Sequence, residues 1–191
     1  MSKMLLDEID KMLISELQRN GRATLSHMGK KTGISHVAIR KRLARLLEKE
    51  VIKVSAHLNA KDLDAKIAAM LVEVENSQRL KELTELFKNC PRTVLLSGID
   101  ASNLLTVVVG EDFSTLESVV GVCSLRVQKG IRRSDVHIGG LPTYPQFLPI
   151  RITSQKKTDT APCRARCDQC ESFKSKHCLG CPATRFYRGP L

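Results

Sequence analysis

The residues with the most specific spacing in this chain are cysteines. The sequence contains seven cysteines, and five of them follow the pattern C-x3-C-x2-C-x7-C-x2-C. Two C-x2-C pairs separated by a short loop can each present two thiolates from one tight turn, and the two turns close a tetrahedron of soft ligands. Gly180 inside the second pair and Pro182 after it fit such a turn. We therefore predict a metal site with the following candidate ligands: Cys163, Cys167, Cys170, Cys178 and Cys181.

This spacing leaves the identity of the metal open. A zinc ion held by the last four of these cysteines would be a closed structural site that orders a segment with few apolar residues. A 4Fe-4S iron–sulfur cluster also takes four thiolates, and it would make the protein a redox or iron sensor. We favour zinc, with the cluster as the alternative and free thiols as the third interpretation. Cys90 and Cys123 lie in or beside apolar segments and are interpreted as small core residues.

A second chemical signal is a run of cations on a predicted helix from about His36 to Lys49. Ile39, Leu43 and Leu46 share the apolar face of this helix, and four cations within six residues lie outside that face. A helix in the major groove needs small or polar groups towards base edges and cations at its rims for phosphates. An ordinary three-helix core with a solvated basic face is the alternative. The predicted DNA-binding residues are Ser35, His36, Val37, Ala38, Arg40, Lys41, Arg42 and Arg45.

The overall composition favours the same kind of partner. The 191 residues carry a formal net charge of +11, which favours a polyanion because each neutralised phosphate releases a counterion. No apolar run approaches the length of about 18 residues that spans a bilayer, and residues 1–10 lack the pattern of a signal peptide. We therefore expect a cytoplasmic protein without a membrane partner. In that reducing compartment clustered cysteines are interpreted as metal ligands rather than disulfides.

The cationic helix belongs to a predicted winged helix-turn-helix domain over residues 1–60. Asp7, Thr24 and Ser35 are predicted to cap three successive helices, because each precedes an apolar periodic segment. Gly33 supplies the turn between the second and third helices. The segment from Val51 to Asn59 is predicted to be a strand or wing that leads out of the domain.

The next segment, residues 61–141, predicts an α+β domain of the ferredoxin-like βαββαβ type. Apolar periodicity alternates between strand and helix, with Ser114 as the cap of the second helix. This order folds as a four-stranded antiparallel sheet with both helices on one face. The proline-containing and polar residues 142–160 are predicted to be a linker, and residues 161–191 a small cysteine-rich metal knuckle.

The first two domains resemble the leucine-responsive/asparagine regulator (Lrp/AsnC) family over roughly residues 4–141. The motifs that carry the resemblance are Leu6-Asp7-Glu8-Ile9-Asp10, Leu17-Gln18-Arg19-Asn20-Gly21-Arg22, Gly33-Ile34-Ser35, Arg42-Leu43-Ala44-Arg45-Leu46 and Val51-Ile52. Glu50 is a departure, because the family usually has Gly before the Val-Ile pair. We expect this Glu to make the end of the third helix less sharply turned.

The resemblance implies homodimers that pair through their sheets and often build octamers on palindromic DNA. It also implies a small effector, commonly an amino acid, that binds between subunits near the loop joining the second and third strands. The residues of this loop that would bind it are Gly98, Asp100, Ser102 and Asn103. A simple β-turn is the alternative interpretation of the same residues.

These observations predict a sequence-specific, double-stranded-DNA-binding transcription regulator that responds to an effector, a metal or redox state. Changing both Lys41 and Arg45 to Ala should abolish its DNA binding. We predict no enzymatic activity, because the five histidines are scattered and no catalytic constellation is visible. Two alternatives are an enzyme resembling the tetrapyrrole decarboxylases that share this architecture and a chromatin-like coating protein.

Overall fold

The computed structural model of this chain describes residues 5–191. They divide into two compact units, Met1–Ala56 and His57–Leu191. Residues 1–4 of the predicted first domain lie outside the described residues. No helix within residues 5–191 is both long enough and apolar enough to cross a bilayer.

The first unit is built from three helices, α1 (Glu8–Arg19), α2 (Leu25–Thr32) and α3 (His36–Glu48). All three predicted caps are confirmed. The side chains of Asp7, Thr24 and Ser35 accept hydrogen bonds from backbone N–H groups three residues further on. Apolar side chains recurring at helical spacing then form one core around Leu13, Met28 and Ile39, each at most 2% exposed.

The end of α3 contradicts the expectation for Glu50. This residue adopts a left-handed backbone conformation with φ of 53°. The Glu50 N–H donates to the Leu47 carbonyl over 3.0 Å, and the Val51 N–H donates to the Leu46 carbonyl over 2.9 Å. These two bonds form a Schellman motif, so the helix ends as sharply as it would with glycine, at the cost of a strained residue.

The predicted strand or wing is formed only at its end, at Leu58–Asn59, and not as a wing of the first unit. Within the described part of the first unit, the segment after α3 contains no strand. The two residues of this region with strand pairing, β1 (Leu58–Asn59), belong to the second unit. They pair with β6 (Phe147–Leu148). Sequence periodicity indicates extended backbone but does not identify a partner so distant along the chain.

The second unit contains the predicted βαββαβ sheet domain. Its elements in chain order are β2 (Lys66–Val74), α4 (Ser77–Phe87), β3 (Thr93–Gly98), β4 (Asn103–Gly110), α5 (Phe113–Ser118) and β5 (Ile131–Gly139). The sheet is antiparallel with the strand order β3-β4-β2-β5. On β2, Ala68, Met70, Val72 and Val74 are fully buried and pack with residues of α4 and α5, so this alternation defines the inner face.

The second helix of this domain differs from its prediction. Its cap is Asp112, whose carboxylate accepts from the Thr115 N–H over 2.6 Å, rather than Ser114. After α5 the backbone continues as a π-helical turn, Val119–Cys123, followed by a 3-10 turn, Leu125–Val127. A π-helical turn widens the helix and redirects the chain. In this protein the π-helical turn ends at Cys123.

The predicted linker, residues 142–160, is mostly exposed but is anchored to the sheet domain at two positions. Leu148 and Ile150 are buried in a cluster with Ala60, Ala65 and Val109. The tail, defined as residues 161–191, adds a 3-10 turn (Cys167–Gln169) and α6 (Glu171–Lys174). It is part of the second compact unit rather than a separate knuckle.

Candidate functional site

The outer face of α3 is the first candidate site. His36, Val37, Arg40 and Lys41 are exposed on it, whereas Ile39 is fully buried on the opposite face. Ser35 is exposed but uses its hydroxyl to accept from the Ala38 N–H over 3.2 Å. The helix therefore presents an imidazole, a small apolar side chain and two cations to solvent at its N-terminal end, which suits a groove of a polyanion.

Two of the predicted DNA-binding cations are bound within their own unit. Asp10 is only 1% exposed, and its two carboxylate oxygens accept from Arg42 at 2.9 Å and Arg45 at 2.6 Å. Arg42 also contacts Asp7 at 2.6 Å. A hydrogen bond from the Asp10 backbone N–H, and then the Arg42 guanidinium, lower the pKa of Asp7. Arg42 and Arg45 thus join α3 to α1, and sequence reasoning missed the buried carboxylate that holds them.

A second buried carboxylate joins α1 to α2. Glu16 accepts hydrogen bonds from Lys31 and from His27, the latter at 3.2 Å. The hydrogen bond from Lys31 is the largest cause that lowers the pKa of Glu16 below its ordinary 4.5. The two buried carboxylates of the first unit, Asp10 and Glu16, therefore hold basic side chains in place.

The loop between β3 and β4 forms the turn that was the alternative to an effector site. One oxygen of the Asp100 carboxylate accepts from the backbone N–H groups of Ser102 and Asn103, both at 2.8 Å. The Asn103 amide donates to the other oxygen at 2.9 Å. These bonds, with that from the Ser102 N–H the largest cause, lower the pKa of Asp100. The carboxylate therefore stabilises its own turn, and Gly98 lies exposed at the end of β3.

The second candidate site is a cavity of about 430 Å³ in the second unit, which we call the thiol cavity. All seven cysteines line it. Five come from the tail, as the spacing suggested. The other two are Cys90, which follows α4, and Cys123, which ends the π-helical turn. Both pack against the apolar core of the sheet domain, which confirms their interpretation as core residues. Nothing local in the sequence indicates that they also meet the tail.

The thiols of this cavity have the surroundings of a metal–thiolate site. The Cys167 sulfur accepts from the Cys181 N–H at 3.3 Å, and the Cys178 sulfur accepts from the Gly180 N–H at 3.4 Å. Such N–H···S bonds tune bound clusters and metals. Burial raises the pKa of Cys163 and Cys178, and it raises that of Cys181 to about 12. These environments disfavour reactive free thiolates.

Two hydroxyl groups on the cavity wall lack partners. Thr93 Oγ1 and Ser118 Oγ are buried, and neither makes a hydrogen bond within the described part of the chain. Both residues line the thiol cavity and are at most 6% exposed. A buried hydroxyl without a partner costs about 1–3 kcal/mol, so these two groups point to a ligand that accepts from them.

The side chains are not arranged as a finished site for one ion. Among residues 5–191, no group of three or more His, Cys, Asp or Glu side chains is positioned to hold a single metal ion. The thiols surround a space instead of converging on a point. Five predicted ligands therefore share one cavity, but the tetrahedron that their spacing predicted is not formed.

A buried ion pair ties the tail to this cavity. Arg92 lines the cavity, is 3% exposed and pairs with Glu111 at 2.6 Å. The same guanidinium donates to the Gly180 carbonyl at 2.7 Å, and Tyr187 donates to the other oxygen of Glu111. Gly180 itself has φ of 89°, and a side chain there would meet the Phe173 ring at 3.1 Å. The second C-x2-C turn is thus fixed by contacts with the sheet domain.

Comparisons with known proteins bear on the first unit most directly. A family model described as the AsnC-type helix-turn-helix domain matches residues 6–47, which include all three helices up to the last turn of α3. This part of the chain matches the AsnC-type helix-turn-helix. The match supports the resemblance to the Lrp/AsnC family, and with the sheet of the second unit it confirms the α+β class.

Curated relatives match longer parts of the chain than the family model does. An uncharacterized HTH-type transcriptional regulator of Pyrococcus furiosus is 33% identical over 70 residues, which are 37% of this chain and 45% of that relative. The chain thus spans about half the length of that protein. The HTH-type transcriptional regulator LrpA of Pyrococcus horikoshii is 28% identical over 119 residues, 61% of this chain and 84% of the relative.

Solved structures share the fold. Escherichia coli AsnC aligns with a TM-score of 0.60 at 14% identity, covering 71% of this chain and 92% of its own. The transcriptional regulator NMB0573 of Neisseria meningitidis, solved as an L-Met complex, aligns with a TM-score of 0.60 at 17% identity, covering 70% of this chain and 89% of its own. These identities establish a common architecture and nothing finer.

Proposed function

We propose that this protein is a sequence-specific transcription regulator that binds double-stranded DNA through α3. The single observation that carries the proposal is the exposed, cationic N-terminal half of α3, in a domain that matches the AsnC-type helix-turn-helix. In this motif the helix that follows the turn, here α3, enters the major groove with its N-terminal residues at the base edges. Arg40 and Lys41 would then contact phosphates, and His36 and Val37 the bases.

The ion pairs of the first unit change the mutant that tests this. Arg45 is bound to Asp10, so the change of Lys41 and Arg45 considered from the sequence would mix lost DNA contacts with lost folding stability. Arg40 and Lys41 are both exposed and are the cleaner pair. In this proposal Arg42 and Arg45 hold α3 at its angle to α1. The Arg45 side chain is also partly exposed, so it can contact a phosphate as well.

The test is DNA selection followed by a salt titration. A pool of genomic fragments should yield a preferred site. On that site the R40A/K41A variant should bind about tenfold or more weakly, with a slope of log K against log salt that is flatter by about 2, because each phosphate contact contributes about 0.9 to it. The matched control is K61A/K81A, which removes two exposed lysines from the second unit. Equal affinity and slope for wild-type protein and R40A/K41A would exclude α3 as the contact.

The same selection separates two other functions. A chromatin-like coating protein would recover random fragments without enrichment, and a regulator would enrich promoter-proximal ones. A tetrapyrrole enzyme on this architecture would purify with a tetrapyrrole absorbance band. The curated relatives described above carry transcription-regulator names, which favours the non-enzymatic function.

We further propose that the tail cysteines bind a metal, as their spacing predicts. Zinc is the ion that the spacing favours, and an iron–sulfur cluster is the alternative. The N–H···S bonds and the two unpartnered hydroxyls of the thiol cavity support a bound group. Metal analysis of the purified protein tests this part of the proposal separately from DNA binding.

We also propose a homodimer, with an octamer as the larger assembly. The outer face of the four-stranded sheet supports it, because Leu71 on β2 is 41% and Leu95 on β3 is 46% exposed there. On β4, the strand between them, Leu105 pairs with Leu71 and Val107 pairs with Leu95, so all four apolar residues lie on this face. Light scattering should give twice the chain mass or a multiple of it. L71E/L95E should give the mass of one chain, whereas the exposed-helix control E82Q should not change it.

A small effector, commonly an amino acid in the family, is proposed to bind near Asp100 between subunits. The L-Met complex of the Neisseria regulator makes amino acids the first ligands to test. Because the Asp100 carboxylate already stabilises its turn, free backbone groups of the loop are the proposed contacts. Calorimetric titration with amino acids, with D100N as the loop variant, checks this.

A DNA partner also agrees with the predicted cytoplasmic location, which stays a prediction.

A further inference from the structure

We propose that the thiol cavity is a composite iron–sulfur site, in which Cys90 and Cys123 of the sheet domain act together with the tail cysteines. The inference deepens the metal site proposed above and rests on it. It differs from the sequence-based expectation in two respects, since it takes an iron–sulfur cluster rather than zinc and it extends the ligand set beyond the tail.

The first argument is the distribution of the thiols. The wall of a single cavity of about 430 Å³ contains every cysteine of the chain, from three separate parts of the second unit. Cys90 lies in the loop after α4, Cys123 at the end of the π-helical turn, and the other five in the tail. Cys90, Cys123 and Cys163 pack against the same apolar core. The two sheet-domain cysteines also border the space that the other four tail thiols line, and this convergence of all seven thiols indicates one shared ligand.

The second argument is size. A zinc ion bound to four thiolates has Zn–S bonds of about 2.3 Å, so its sulfurs touch and leave no space between them. The thiols here line an open space, and within residues 5–191 no three ligand-type side chains surround a single-ion point. An iron–sulfur cluster separates its cysteine ligands by a core of iron and inorganic sulfide. The cavity therefore suits a polynuclear core.

The third argument is the polar lining. Thr93 and Ser118 are more than nine-tenths buried and direct no hydrogen bond to any described residue. Both belong to the sheet-domain part of the wall. Their hydroxyls can donate to sulfide or to thiolate sulfur, in the same way as the backbone N–H groups of Gly180 and Cys181 donate to Cys178 and Cys167. The cavity thus has donors for a sulfur-rich, anionic group on both of its sides.

Binding is a ligand-exchange step. A preformed 4Fe-4S core is delivered with other thiolates on its irons. Each cysteine thiol that forms an Fe–S bond displaces one of these thiolates, which leaves with the thiol proton, so four exchanges hold the core without a change of oxidation state. The seven thiols exceed the number that one core requires, so the thiols that do not bind iron complete the wall. The composite site differs from a tail-only site in predicting that at least one of the sheet-domain cysteines is an iron ligand.

The test uses the full-length protein purified without oxygen. We expect a brown protein with a broad absorbance band near the blue edge of the visible range and about four iron and four sulfide per chain. Colourless protein with one zinc per chain would overturn the cluster while leaving the proposed metal site in place. Protein with neither metal would overturn both, and DNA binding by α3 is measured independently of either result.

Variants then test the composite ligand set. C90A/C123A should lose at least half of the iron and sulfide, and the single variants should assign the loss to one residue or to both. The matched control N89A/V127A changes an exposed residue near each cysteine, outside the wall of the thiol cavity, and should keep the full iron content. C178A, a tail variant, should lose the cluster.

Folding is checked separately, because cysteine variants of a packed unit can fail to fold. Far-ultraviolet circular dichroism of C90A/C123A should match that of N89A/V127A. If C90A/C123A is folded and keeps full iron with an unchanged electron paramagnetic resonance spectrum after reduction, the cluster belongs to the tail alone and the composite site is wrong. If the double variant is unfolded, the paramagnetic resonance spectra of the two single variants decide. An unchanged spectrum in both C90A and C123A would overturn the proposal.

Discussion

The helix-turn-helix unit and the thiol cavity both gave clear signals in the sequence, but those signals differ in how much of the structure they predict. In the first unit the caps, the turn and the helix bounds follow from residues at most four positions apart. In the second, the cavity is assembled from thiols separated by as many as 91 positions, Cys90 to Cys181. Local signals therefore predicted the shape of one region, and only the chemistry of the other.

The comparison also separates two kinds of buried charge. In the first unit Asp10 binds cations that sequence reasoning assigned to DNA. In the second, Arg92 links a strand, a loop and the tail. Both are long-range contacts that no periodicity reveals, so removing each should show how much of either unit depends on contacts of this kind. The following predictions run from the largest expected effect to the smallest.

The largest effect should come from R92M. The substitution leaves the Glu111 carboxylate buried without its guanidinium and removes the hydrogen bond to the Gly180 carbonyl. Leaving one partner of a buried ion pair unmatched costs about 3–5 kcal/mol. Urea unfolding of the second unit should show this loss, and R92M/E111Q should recover part of it. A loss below that of an ordinary surface substitution would mean that the tail is held by other contacts.

D10N should destabilise the first unit by about 2 kcal/mol, because charge-assisted hydrogen bonds to Arg42 and Arg45 become neutral ones. The measurement is the free energy of unfolding by urea. E8Q on the same helix is the control, since Glu8 forms an exposed ion pair with Lys11 among residues 5–191 and such pairs contribute little. If D10N and E8Q unfold together, the buried carboxylate does not hold α3 against α1.

E50G should stabilise the first unit by about 1 kcal/mol. Glu50 lies in the left-handed region with φ of 53°, where an L side chain is strained and glycine is not. Thermal unfolding should therefore shift upwards. K49G is the matched control, because Lys49 has φ of −84° and glycine there only adds freedom to the unfolded chain. A lower unfolding temperature for E50G would contradict the strain.

The smallest effect is a pH dependence. The folded-state pKa of Glu16 is lowered, chiefly by the hydrogen bond from Lys31. Its contribution to stability is therefore complete above its ordinary pKa of 4.5 and is lost as the pH falls through the lowered value. The urea midpoint of the first unit should fall between about pH 5 and pH 3, and E16Q should fall less. Parallel curves for the two proteins would show that Glu16 is not responsible.

The successes and failures of the sequence-based predictions follow from the range of each signal. The capping roles of Asp7, Thr24 and Ser35 and the alternation of β2 were predictable, because a cap or a strand face is specified within a few residues. Glu50 misled, since the tertiary environment holds a left-handed residue that its type disfavours. The wing and the linker misled because their partners, β6 and the apolar surface around Val109, lie far along the chain.

The sequence by itself determined the order of a helix-turn-helix domain followed by a βαββαβ domain, the cationic third helix and a cysteine spacing that predicts metal ligands. These depend on periodicity and on neighbouring residue types. Tertiary structure alone decided that Arg42 and Arg45 pair with Asp10, that the tail packs on the sheet domain, and that Cys90 and Cys123 face the tail thiols. Each of these requires the chain to bring distant residues within a few ångströms, and packing of the whole unit selects such meetings.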